Sequence, residues 1–140
     1  MRLKVIGDEK KECTLVIPAD KVIKGDVDLS DMGLTKLPDL SAVTVNGNFD
    51  CSCNRLTSLV GAPKSVGGDF DCYDNQLITL DGASRSVGGD FYCSGNHLTS
   101  PQGAPQKIGG DFICDNKRLR QEYEEKKLAY FMGKQSQKEK

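Results

Sequence analysis

From residue 23 onward the apolar positions recur at a fixed interval that is neither the 3.6-residue period of a helix nor the simple alternation of a long strand. VGGDFDCYDNQLITL (66–80), VGGDFYCSGNHLTSP (87–101) and IGGDFICDNKRLRQE (108–122) align with a step of 21 residues. VNGNFDCSCNRLTSL (45–59) extends the register backwards, and IKGDVDLSDMGLTKL (23–37) extends it again with one extra residue. Phe49, Phe70, Phe91 and Phe112 fall in one column with Val27, and Cys51, Cys72, Cys93 and Cys114 fall in another with Leu29. A third column holds Leu34, Leu56, Leu77, Leu98 and Leu119; a fourth holds Leu37, Leu59 and Leu80 and is broken by Pro101.

A period near 20 with this pattern predicts a repeat solenoid of five coils over residues 23–115, each coil giving one short parallel strand and none stable alone. Phe and Cys stand two apart, so both are expected inward and the residues between them outward. By the same alternation Cys53 joins Cys51 inside, and Ser52 faces out. Asn54, Asn75 and Asn96 are expected to turn inward and bond the backbone where the chain bends. The glycine pairs at 67–68, 88–89 and 109–110 predict either a positive φ or a close backbone approach.

The ends depart from the repeat. Residues 1–22 hold two β-prone runs around GDEKKE, which predicts a hairpin capping the first coil. Residues 116–132, NKRLRQEYEEKKLAYFM, lose the glycines and predict a capping helix, followed by a flexible tail at 133–140. Leu119, Tyr123 and Tyr130 share the face expected to cover the last coil. Leu128, Phe131 and Met132 form a second stripe, a possible second interface through which the chain would form a homodimer.

The segment LTSLVGAPKSVGGDFDCYDNQL resembles the leucine-rich-repeat family, and within it the short bacterial and phage type of 21-residue repeat. The resemblance covers about residues 23–120 and departs from the family pattern where Gly67, Gly88 and Gly109 replace its first leucine. It implies a leucine-rich-repeat-like fold and a non-catalytic protein-binding scaffold. The phage-like repeat style further suggests a small inhibitor of a host defence enzyme, such as a CRISPR nuclease.

Composition narrows the chemistry. The 140 residues carry 19 Lys and Arg against 20 Asp and Glu, a formal charge of −1, so the basic surplus of a general nucleic-acid binder is missing. No direct nucleic-acid binding is expected. The absence of a signal-like apolar run at the start, and of any 18-residue apolar stretch, leads to the expectation of a cytoplasmic chain with no membrane partner. With one His and no Trp, no nucleophile, base and oxyanion site can be assembled, and no enzyme activity is expected. His97 reads as a loop residue. A linear thiol ladder does not converge four ligands on a zinc, and the Asp ladder has no clustered loop for calcium, so no metal or cofactor is expected. Coils about 4.8 Å apart hold parallel thiols beyond disulfide geometry, which predicts free cysteines.

Charge patterning carries the functional expectation. Residues 41–115 hold eight acids against four bases, whereas residues 116–140 hold eight bases against four acids. The acids line the outward strand positions: Asp26, Asp69, Asp90 and Asp111 with Asn48; then Asp28, Asp50 and Asp71, followed by Tyr92 and Ile113; then Ser30, Ser52, Tyr73, Ser94 and Asp115. Stacked carboxylates repel, so something must offset them; either they accept backbone N–H bonds at the turn or they await a basic partner. The candidate binding face is Asp50, Asp71, Tyr73, Asp90, Tyr92, Asp111, Ile113 and Asp115, its partner a protein target with a basic surface. A structural or assembly repeat protein and a nucleic-acid mimic are the alternatives.

Overall fold

The computed structural model describes the backbone of residues 1–138 and the side chains of residues 1–129. An antiparallel hairpin, β1 (Arg2–Ile6) and β2 (Glu12–Val16), opens the chain. Stacked parallel coils follow as a β-solenoid of about four turns, and a helix, α1 (Lys117–Lys138), ends it. The helix therefore continues past residue 132, through much of the stretch expected to be a flexible tail.

Each coil contributes two strands where the repeat predicted one. The first set is β3 (Val22–Ile23), β5 (Thr44–Val45), β7 (Ser65–Val66), β9 (Ser86–Val87) and β11 (Lys107–Ile108). The second is β4 (Val27–Asp28), β6 (Phe49–Asp50), β8 (Phe70–Asp71), β10 (Phe91–Tyr92) and β12 (Phe112–Ile113). Each set pairs in coil order into a five-stranded parallel sheet. Registers are in step, Val45 opposite Val66 and Val87 in the valine sheet, Phe49 opposite Phe70 and Phe91 in the phenylalanine sheet. Val45, Val66, Val87 and Ile108 point inward while Thr44, Ser65 and Ser86 are half-exposed. Two-residue strands are too short to display alternation, so this sheet stayed hidden behind its glycines.

The glycine pair is the corner between the two sheets. None of Gly67, Gly68, Gly88, Gly89, Gly109 or Gly110 has a positive φ, so close approach is the reason for the residue type. A Cβ on Gly88 would run into the carbonyl oxygen of Gly67, and one on Gly109 into that of Gly88. Positive φ falls elsewhere, as at Gly82 (φ 94°) in the return loop.

Inside, the phenylalanines form a continuous stack. Ring centroids lie 5.2 Å apart for Phe49 and Phe70, 5.0 Å for Phe70 and Phe91, and 5.9 Å for Phe91 and Phe112. Tyr123 of α1 extends the stack at 4.4 Å from Phe112, and Leu119 completes the third leucine column, so the helix closes the last coil. Asn116 caps α1, its Oδ1 accepting from the N–H of Arg118 (3.0 Å) and Leu119 (3.3 Å). At the other end Val5, Leu15 and Ile17 join the core, and the N–H of Asp8 donates to the carbonyl of Met32 at 2.8 Å, which docks the hairpin on the first coil. The side chains of Tyr130, Phe131 and Met132 lie outside the described residues. Leu128, the described member of the second stripe, is exposed.

Candidate functional site: the acidic face of the phenylalanine sheet

The strands of the phenylalanine sheet carry no lysine or arginine, and their outward positions stack in register. Asp28 lies opposite Asp50, Asp50 opposite Asp71, Asp71 opposite Tyr92, and Tyr92 opposite Ile113. All but the exposed Asp28 are half-buried.

Two backbone-directed bonding systems hold these carboxylates. The column after the glycine pair is a ladder between coils: the N–H of Asn48 donates to Asp26 Oδ1 (2.7 Å), that of Asp69 to Asn48 Oδ1, that of Asp90 to Asp69 Oδ1 and that of Asp111 to Asp90 Oδ1, the last three at 2.8 Å. Each side chain thus satisfies the next coil's backbone, which resolves the alternative posed by the sequence in favour of a structural role for Oδ1 of this column. In the next column the acid caps the strand end in its own coil. Asp28 Oδ1 accepts from Ser30 N (2.9 Å) and Oγ (2.6 Å), and Asp50 Oδ1 accepts from Ser52 N (2.9 Å) and Oγ (2.6 Å). Among the described residues Asp71 Oδ1 accepts from Tyr73 N alone, at 2.9 Å.

This difference appears in their ionisation. The Ser30 hydroxyl and N–H hold Asp28 below the ordinary aspartate value. Asp71 is pushed above it by burial, reinforced by Asp50 and Asp69, with the Tyr73 N–H opposing. Tyr92 Oη donates to Asp90 Oδ2 at 3.1 Å, and this bond, more than the desolvation and nearby carboxylates, raises the phenol. Asp115 Oδ2 accepts from the N–H of Gly95 at 3.0 Å. Asp111 ends the ladder and is exposed, as is Tyr73, whose ring lies beside Gly95. The structure therefore brings Asp50, Asp71, Tyr73, Asp90, Tyr92, Asp111, Ile113 and Asp115 onto one face.

Two expected orientations are corrected. Cys53 is exposed, because its φ of 56° breaks strand alternation before it can turn inward. Asp31, Asp74 and Gly95 occupy the same place with φ of 54°, 56° and 74°, so a left-handed residue is part of the repeat. Ser52 is buried rather than outward, drawn down by its two bonds to Asp50. The following asparagines behave as expected. Asn75 Oδ1 accepts from Leu56 N (3.0 Å) while its Nδ2 donates to the carbonyls of Cys51 (3.0 Å) and Cys72 (3.2 Å).

Behind the face Cys51, Cys72, Cys93 and Cys114 are buried and free. Burial raises the Cys51 and Cys72 thiols well above the ordinary value. The Cys93 and Cys114 thiols set each other apart, Cys93 up and Cys114 down to about 7. Among the described residues no three His, Cys, Asp or Glu side chains are placed to hold a metal ion, and no helix is long and apolar enough to cross a membrane. His97 is exposed.

These features define a capped β-solenoid with a one-signed, hydrogen-bonded strand face. Comparison with protein-family models, with curated proteins and with solved structures gives no match to this chain.

Proposed function

We propose that the chain is a non-catalytic protein-binding module that docks its acidic strand face on a basic surface of a target protein, to block or recruit it. The observation that carries this reading is the in-register row Asp28, Asp50, Asp71, Tyr92 and Ile113 on a sheet free of cations. Oδ1 atoms are spent on backbone and serine donors, which fixes each carboxylate in place and leaves Oδ2 of Asp50 and Asp71 for a partner. A pre-ordered acidic surface loses little entropy on binding and steers a basic partner at long range. Tyr73, 49 % exposed beside the acids, supplies the apolar anchor that such interfaces concentrate their energy on. Enzymes that handle nucleic acids present basic surfaces of this kind, which keeps a nuclease among the targets, as the phage-like repeat style also suggests; the resemblance to leucine-rich repeats supports protein binding.

Affinity capture with the intact chain, compared with Asp50→Asn plus Asp71→Asn and with Tyr73→Ala, tests the reading. The amides keep the Oδ1 acceptor and replace the charged Oδ2 acceptor with a neutral NH2 donor. A partner captured by the parent should associate more slowly and with a shallower salt dependence in the double variant, and dissociate faster from Tyr73→Ala. A partner held equally by all three would refute the face.

A further inference from the structure

Among the described residues the valine sheet ends at β11. In each earlier coil the inward residue's carbonyl accepts from the next coil's glycine: Gly67 N to Val45 O at 2.7 Å, then Gly88 N to Val66 O and Gly109 N to Val87 O at 2.8 Å. Gly89 N and Gly110 N bond the carbonyls of Gly68 and Gly89 in the same way. Ile108 and Gly110 hold those places in the last coil, and among the described residues no donor bonds their carbonyls. The opposite edge, β3, is blunted: Pro18 precedes it, and Asp20 Oδ1 takes the N–H of Val22 at 3.1 Å. Pro105 likewise precedes β11 and Lys107 lies on it, but no side chain among the described residues bonds the carbonyls of Ile108 and Gly110.

Alongside β11 runs a trough made of two adjoining cavities of about 420 and 430 Å³ that share Gln106 and Lys127. Its walls are apolar, from Pro101, Ala104, Pro105, Ile108, Tyr123 and Leu128. Leu128 is 61 % exposed there. Among the described residues Lys107, Lys126 and Lys127 stand around the trough with one carboxylate, Glu124. Unpaired strand carbonyls call for a row of N–H donors, which an extended peptide supplies and a fatty acid does not. The lysines call for carboxylates on that peptide.

We propose that β11 takes up an extended, acidic segment of a partner protein as an added strand, with the segment's apolar side chains in the trough and its carboxylates on Lys107, Lys126 and Lys127. This site is independent of the acidic strand face, lies across a different sheet and selects the opposite charge.

The test is amide-resolved NMR titration of the full chain with an acetylated heptapeptide of alternating Val and Glu. The expected result is shifts at Ile108, Gly109, Gly110 and Leu128, with affinity falling as salt rises. A Val and Lys peptide, and the Lys107→Glu plus Lys127→Glu variant, should each bind about tenfold more weakly or worse. N-methylation of one alternate set of peptide amides should abolish binding while methylation of the other is tolerated, as one-edged pairing requires. Should the double variant lose its native spectrum, Lys126→Glu alone serves, with a loss of a few fold. No shift up to millimolar peptide, shifts centred on Asp50 and Asp71, equal binding of the Val and Lys peptide, or indifference to both methylation patterns would each overturn the proposal.

Discussion

The two sheets of this solenoid share one chain, one period and one kind of hydrogen-bond ladder, yet they are finished differently. The core behind the phenylalanine sheet is covered at both ends, by the hairpin bonded to Met32 and by Tyr123 stacked on Phe112. Its interior carries the large side chains and the thiols, and its exterior the acids. The valine sheet is lined by smaller residues, turns hydroxyls and glycines outward, and is left open at β11. Parallel pairing holds the coils together on both sides. The side chains and the caps decide which side supplies stability and which leaves an edge for something else.

That division is broken most directly in the two interiors. Phe70→Ala removes a fully buried ring stacked on both neighbours and is expected to cost about 3–5 kcal/mol. Val66→Ala, at the matching depth in the other sheet, should cost less, about 1.5–3 kcal/mol. Urea denaturation of both variants checks this. Equal costs would mean that the two sheets carry equal shares of the core.

Sealing of the phenylalanine sheet also predicts a split among the thiols. Cys53 is exposed, whereas Cys51 and Cys72 are buried with thiols held protonated. A thiol reagent at neutral pH should label Cys53 at once, and Cys72 at least about a hundredfold more slowly until denaturant opens the coils. Cys53→Ser should remove the fastest phase and leave the slower labelling of the half-exposed Cys13. Rapid labelling of Cys72 in the native chain would show that the capped sheet opens locally.

The thiols also show what the sequence could and could not disclose. The columns of Phe, Cys and Leu were legible because a 21-residue spacing repeats them, and repetition averages over local accidents. The inward asparagines were legible because a polar residue recurring between apolar columns must find backbone partners. Cys53 was misplaced because alternation was carried one residue too far, into a left-handed turn that accepts Asp, Cys or Gly and so leaves no residue signature. The acidic face was legible as a list of outward positions. Its hydrogen bonds were not, since Asp69 and Asp90 bond the backbone of another coil 21 residues away. The trough beside β11 combines a return loop, a strand edge and a helix face, and no single stretch of sequence contains it.

The corner joining the sheets gives a smaller test. Gly88→Ala places a Cβ against the carbonyl oxygen of Gly67. Because that neighbour is backbone, the coils must part locally, at about 1–3 kcal/mol. The cause is spacing rather than a positive φ, and a D residue, which favours positive φ, does not suit the backbone of Gly88, whereas at Gly82, with its φ of 94°, the D residue suits the backbone better than L-Ala. Thermal unfolding of semisynthetic chains would separate the two cases. Rescue at Gly88 alone would reverse the assignment.

The smallest effects lie within a single column of the acidic face and differ in sign. Asp28 has its pKa lowered by Ser30, so its ionised form is favoured in the folded chain. Its contribution to stability is present above the ordinary carboxylate range and is lost as pH falls through the lowered folded value. Asp71 has its pKa raised by burial and by its acidic neighbours, so the folded chain binds that proton more tightly than the unfolded chain does. Its ionisation opposes folding: the penalty is absent below about pH 4, the unfolded aspartate value, and complete once pH exceeds the raised folded value. Asp71→Asn keeps the acceptor for Tyr73 N and should raise the melting temperature at pH 7, with the gain fading toward pH 3. Asp28→Asn should lower it at pH 7, with the loss fading over the same acid range. Both sites retain solvent contact, so each change should stay below about 1 kcal/mol. Melting curves from pH 3 to 7 decide the matter, and a destabilised Asp71→Asn at pH 7 would mean that the stacked carboxylates are held by something stronger than their mutual repulsion.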